Sequence, residues 1–316
     1  MTLYLVRRIG QSVVVIVFVL VVVFGLTRAL PGGPARAILG PRATQVAVAN
    51  FNHAYGLDQP LPVQFADYVG ALGRGDLGFS YKRNQSVSTL IGEYLPVTLV
   101  LMLVSTVIAV GVAIPLGMVQ AVRRNRVEDH LLTGILFVFY SMPVFWLGLI
   151  LIVVFAGNLG WLPSGGPQGG IGTYAGQLSS LVLPIATLSL VTIALFSRYL
   201  RSAMIEALVQ DYVRTARAKG ASLNRVMLRH VLPNSLFSTI TLLGLSIPYI
   251  FSGALIVEAL FNYPGMGLLF WNAASSRDYP VVLGVTLVVA LATVAGNLAA
   301  DLVYAVVDPR IRYTAE

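Results

Sequence analysis

Apolar residues run along this chain in long windows punctuated by charged positions. The windows free of Asp, Glu, Lys and Arg are residues 9–27, 94–122, 130–197, 230–257 and 279–300. A helix needs about 20 mostly apolar residues to cross the hydrocarbon core of a bilayer. Four windows therefore match one crossing each. Window 130–197 suits two, joined by the Gly/Pro-rich stretch LPSGGPQGGIG from Leu162 to Gly172. The pattern predicts an all-α integral membrane protein with six transmembrane helices, near 9–30, 97–121, 131–156, 180–203, 235–257 and 281–306.

Composition agrees with this class. The 316 residues are 57% hydrophobic and only 11% charged, with mean hydropathy +0.80. Soluble domains carry about 25% charged residues, so soluble, fibrous and disordered classes are excluded. The absence of cysteine rules out disulfides, thiolate metal sites and a Cys nucleophile, and leaves the redox compartment unread.

The charge balance is +8, from 21 Lys+Arg against 13 Asp+Glu. In a soluble protein that surplus would suggest nucleic acid; in a membrane protein it reports cytoplasmic loops. With the N-terminus inside, fourteen of the 21 basic residues fall on the cytoplasmic side, from Arg7 and Arg8 to Arg310 and Arg312. The two short outside loops hold Arg277 alone. Both termini are expected inside. Arg7-Arg8, the Val-rich run after them and Ala35-Arg36-Ala37 also look like a secretory signal peptide. The apolar stretch is longer than such a peptide needs, and the charge tally requires the helix, so a retained first span is expected.

Candidate chemistry is sparse. The two lysines, Lys82 and Lys219, do not follow glycine, so no GxxxxGK[ST] phosphate loop exists. His53, His130 and His230 lack metal-ligand spacing, and no GxSxG nucleophile elbow occurs. Nor do the spans carry the interior Asp, Glu or Lys of a proton relay. Asp301 sits about two turns from a span end, where snorkelling or capping is expected of it.

The longest inside loop is also the most basic: RSAMIEALVQDYVRTARAKGASLNRVMLRHVLPN, Arg201 to Asn234. Ser202 is expected to cap a helix that runs to Lys219, with Gly220 as its left-handed C-terminal stop. Ser222 is expected to N-cap a second helix that ends before Pro233. Val213, Ala216 and Gly220 share a small-residue face, and Arg214 with Arg217 forms a basic flank. Such a face lets another surface approach the backbone closely. Docking to a protein partner and lying on anionic lipid are both open on these grounds.

RTARAKG (214–220) with HVLPN (230–234) resembles the "EAA" loop of ABC-transporter permease subunits. The general pattern is Glu-Ala-Ala, three residues, Gly, nine residues, Ile, any residue, Leu-Pro. Anchored on Gly220, Leu232-Pro233 falls in register. Arg214, Thr215 and Ala216 stand for Glu-Ala-Ala, and His230 for Ile, departures that fit the peptide/nickel branch of importers. GLDQPLPVQFADYV (56–69), GDLGFS (75–80), LPVTLVL (95–101), VEALFNYPGMG (257–267), RDYPVVLG (277–284) and DPRIR (308–312) are similar in order to the B-type permease of dipeptide and oligopeptide importers.

This resemblance implies a type I ABC importer permease fold, with a first helix over 1–30, an extracytoplasmic segment over 31–95, and a five-helix core over 96–316. That core carries the coupling loop 204–234. Val213, Arg214, Thr215, Ala216, Arg217, Ala218, Lys219, Gly220, Leu232 and Pro233 are then the ATPase-coupling residues. The implied partners are a second, C-type permease, two ATP-binding subunits and an extracytoplasmic peptide-binding protein, in a bacterial cytoplasmic membrane. ATP and Mg²⁺ would belong to those subunits, with no cofactor, metal or catalytic residue in this chain. The 31–95 segment is expected either to cap the path and meet the binding protein, or only to brace the first two spans. Pro115 with Gly117, Ser141-Met142-Pro143, Pro184 and Ser246-Ile247-Pro248 mark helix breaks as kinks or gating points. The alternatives are a nickel importer within the family, and outside it a secondary carrier or a surface scaffold.

Overall fold

The computed structural model describes residues 2–29, 32–40, 42–80, 82–168, 172 and 176–307, with the backbone alone at 2–6, 37, 237–238, 241, 245, 247–253 and 300–307. The expectations for DPRIR and for Arg310 and Arg312 lie outside these residues, as does the side chain of Asp301.

The chain is helical almost throughout. α1 (Thr2–Arg28) is followed by three short helices, α2 (Gly33–Leu39), α3 (Gln45–Ala54) and α4 (Leu61–Gly73). A minimal antiparallel hairpin of β1 (Phe79–Ser80) and β2 (Gln85–Ser86) then leads into α5 (Val87–Val122). α6 (Val127–Ser141), α7 (Val144–Leu151) with a π-helical extension (Ile152–Asn158), and α8 (Leu178–Leu208) follow. α9 (Asp211–Ala218) and α10 (Leu223–Val226) precede a second π-helical turn (Met227–Val231). α11 (Leu232–Leu260), α12 (Met266–Ser276) and α13 (Tyr279–Val307) close the chain.

Among the described residues, four helical stretches are long and apolar enough to span a bilayer: Arg7–Arg28, Val87–Val122, Leu178–Leu208 and Tyr279–Ala299. The pair α6 and α7 with its extension makes a fifth if counted as one span, but it is bent by 105°. α11 runs 29 residues across the fifth expected position. In α1 the apolar side chains face outward, with Val14 68% and Phe18 67% exposed. A single helix that is apolar on all sides is suited to lipid.

The second expected span, near 97–121, lies within the longer helix α5, whose first turns bury Val87, Leu90 and Ile91 on one face. One expected span is corrected. The third is broken at Met142-Pro143. Met142 is extended (φ −82, ψ 130), and Pro143 caps α7. Proline lacks an N–H and disfavours helical geometry in the residue before it. Pro115 and Pro184 nonetheless lie inside continuous helices, and α11 runs unbroken through 246–248.

The chain forms two compact units. The first gathers Met1–Thr98 with Pro264–Leu298, so segment 31–95 is not a body of its own. Phe24 of α1 meets Phe65 edge-on at 5.3 Å, and Arg28 Nε donates to Gln64 Oε1 at 2.9 Å. Ser80 Oγ donates to the buried Asp278 at 2.5 Å, pinning the hairpin to the start of α13. Met266 N–H donates to Thr98 Oγ1 at 2.8 Å, seating α12 on α5.

The second unit holds Leu99–Tyr263 and Ala299–Glu316. Here α8 packs against α11, α6 and α7. Gly117 of α5 lies so close to α8 that a Cβ would sit 3.2 Å from Ser197 O and Leu200 Cβ. Small residues permit such close helix approach in membranes. The Gly/Pro-rich connection is stitched to the end of α11 by Gly166 N–H donating to Phe261 O at 2.6 Å. A Cβ at Gly166 would be 3.1 Å from Tyr263 Cα.

Candidate functional site

The basic segment is built differently from its expected helix–break–helix. Ser202 lies inside α8, which continues to Leu208. The interruption falls at Val209-Gln210, where extended Gln210 (φ −72, ψ 152) opens α9. Asp211 in the first turn and Arg217 in the last each complement the helix macrodipole. Gly220 has φ +83, as expected of a left-handed stop. Its N–H donates to Arg217 O at 2.9 Å and that of Ala221 to Ala216 O at 3.1 Å, the paired bonds of a Schellman motif.

Ser222 has N-cap geometry at α10, but its hydroxyl makes no capping bond. The second helix does not end before Pro233. A π-turn at Met227–Val231 widens the helix, and the chain continues into α11 with Pro233 in the first turn. There its missing N–H costs little.

Val213 and Ala216 are buried in one core with Leu200, Met204 and Ala207 of α8, Val226, Met227 and Val231 after the glycine, and Ala121 at the end of α5. The expected small-residue docking face is therefore turned inward onto the chain's own core. Burial of an apolar side chain the size of valine contributes about 1.5–3 kcal/mol, which fixes the rotation of α9. Its exposed face carries Arg214, Thr215, Arg217, Ala218, Lys219 and Gly220. Leu232 packs against the same core, and Pro233 is exposed.

Arg214 lies 3.6 Å from Asp211, with both side chains in water; such pairs contribute little. Partial burial pushes the Tyr212 phenol above its ordinary range. Beside α10 a groove of about 290 Å³ is lined by Met118, Val119, Val122, Arg123, Leu223, Asn224, Met227 and Leu228. Leu223 and Leu228 are exposed. The segment thus offers a basic helix next to an apolar groove.

One pair escapes sequence reading. Arg201 of α8 grips Asp129 of α6 through both nitrogens of its fork, at 2.8 and 2.7 Å, and Asp129 is 1% exposed. The signal available was that Asp129 bounds a charge-free window; nothing in spacing names its partner 72 residues away. Among the described residues no group of His, Cys, Asp or Glu is arranged to hold a metal.

Long apolar helices in one polytopic chain, with a basic helix–turn–helix folded onto its own core, define an integral membrane protein. The solved MetNI methionine ABC transporter, in an inward-facing structure, shares this fold, with TM-score 0.53 and 18% identity over 68% of this chain and 96% of that one. The fold is that of a type I ABC importer permease. Residues 113–313 match the family described as binding-protein-dependent transport system inner membrane component, and residues 1–102 match its N-terminal counterpart. The chain belongs to this family. It is 41% identical to the oligopeptide transport system permease protein AppB of Bacillus subtilis, over 99% of this chain and 100% of that protein. It is 39% identical to the probable D,D-dipeptide transport system permease protein DdpB of Escherichia coli, over 96% of each. A putative peptide permease protein of Brucella ovis is 40% identical, over 93% of this chain and 94% of its own length.

Proposed function

We propose that the chain is a transmembrane subunit of an ATP-driven importer of short peptides, forming half of the translocation path. The observation that carries this reading is its end-to-end similarity to permeases named for peptide transport. Six spans with both termini in the cytoplasm would line that half. A C-type sister permease would supply the other half, two ATP-binding subunits the energy, and an extracytoplasmic binding protein the peptide. ATP and Mg²⁺ belong to the ATP-binding subunits, and the chain performs no catalysis itself.

The segment 204–234 is the coupling element. Its outward Arg214, Arg217 and Lys219 meet the ATPase, while Val213 and Ala216 tie α9 to α8. Closure of the ATPases then moves α9, α10 and the adjoining end of α8 as one rigid body. The test is Arg217→Glu in the assembled complex. Exposed, the site tolerates the change within about 0.5 kcal/mol of stability, whereas co-purification of the ATP-binding subunits and peptide uptake are both lost. Full uptake with the ATPases retained rules out the coupling assignment.

A further inference from the structure

The pair of buried Asp129 and partly buried Arg201 lies where the coupling core meets the bent span. Arg201 is flanked on α8 by Leu200 and Met204, which are 1% and 0% exposed and belong to the core shared with α9 and α10. Its guanidinium leaves that core and closes a two-bond fork on Asp129 in the first turn of α6. The carboxylate is held further by Asn125 N–H at 3.0 Å and Thr133 Oγ1 at 3.5 Å, and Gln120 Nε2 donates to that hydroxyl at 3.0 Å. Asn125, with φ +64, forms the turn between α5 and α6. One carboxylate thus ties α8, the α5–α6 turn and α6 together.

A fork of two parallel N–H···O bonds fixes orientation as well as distance, unlike a point contact or an apolar surface, which can slide. An ion pair with one partner buried and the other largely so is a poor source of net stability, since apolar side chains of similar volume often serve as well. Setting register is the better attested use of such a pair. α6 leads directly into the 105° break before α7. Resting on the importer reading above, we infer that Asp129 and Arg201 are positioning residues for transport: they make α6 turn with α8, so that a shift at α9 and α10 reaches the bent span.

The test uses the full complex in proteoliposomes, with Arg201→Lys and the apolar double variant Asp129→Leu/Arg201→Met. The chain lacks cysteine, so with native cysteines removed from the partner subunits, spin labels introduced at the exposed Leu131 of α6 and Tyr199 of α8 report the two helices alone. In the parent complex ATP leaves their distance unchanged. In both variants ATP changes it, and uptake of a labelled dipeptide per ATP hydrolysed falls roughly fivefold or more, with the ATPases still bound. A variant that assembles with constant distance and parent-level uptake per ATP overturns the inference. So does failure of both variants to assemble, which would make the pair a fold contact only. A parent complex that takes up no peptide sinks the substrate reading instead, while the distance measurement still decides the link.

Discussion

Gly220 is required by its backbone and not by crowding. Its φ is +83, yet a Cβ there would meet nothing within 4 Å. Gly220→Ala should therefore cost about 1–2 kcal/mol, the left-handed penalty for an L-residue. Gly220→Asn should recover part of that, because Asn visits this region more readily. Hydrogen exchange at the Ala221 amide, which closes the Schellman bond, checks this, with faster exchange in the order Gly, Asn, Ala. Equal exchange in all three would place the need for glycine in partner contact. This stop was legible in the sequence because glycine and its flanking helix formers are local signals. The direction of the α9 face was not. The i, i+3 spacing of Val213 and Ala216 identifies a stripe, and only the nonlocal Leu200, Met204 and Val226 turn it inward.

Four proline-bearing stretches looked alike as breaks, and one of them breaks a helix. Pro143 follows an extended Met142, whereas Pro115 and Pro184 are absorbed within α5 and α8. In Pro143→Ala an N–H returns and the restriction on residue 142 is lifted, so α6 and α7 should straighten. Spin labels at the exposed Val127 and Val153 should then lie farther apart, and uptake should fall. An unchanged distance would mean that packing of α7 on α8 and α11, not the proline, holds the bend. Pro233 teaches the same lesson. It reads as a terminator, but the π-turn before it lets α10 join α11.

Segment 31–95, expected on the outer side, shares a compact unit with α1, α12 and most of α13. Val46, Tyr55 and Leu61 stand 69%, 62% and 59% exposed on its surface. Exposed apolar side chains on such a segment are candidates for partner contact. We expect Tyr55→Asp/Leu61→Asp to weaken docking of the binding protein while leaving the ATP-binding subunits attached, as read by co-purification of each. Intact docking would leave the segment a brace.

The membrane class, the long apolar windows and the basic segment were decided along the chain, because the length of apolar windows and the placement of charge act through solvation, which is local in sequence. The family resemblance, carried by short motifs such as RTARAKG, was equally legible. Three features belonged to the tertiary structure: the inward turn of α9, the choice of Pro143 over the other prolines, and the grip of Arg201 on Asp129. Each depends on which distant surfaces compete for the same face. That competition is decided by packing between segments far apart in sequence, and no periodicity within one segment records it.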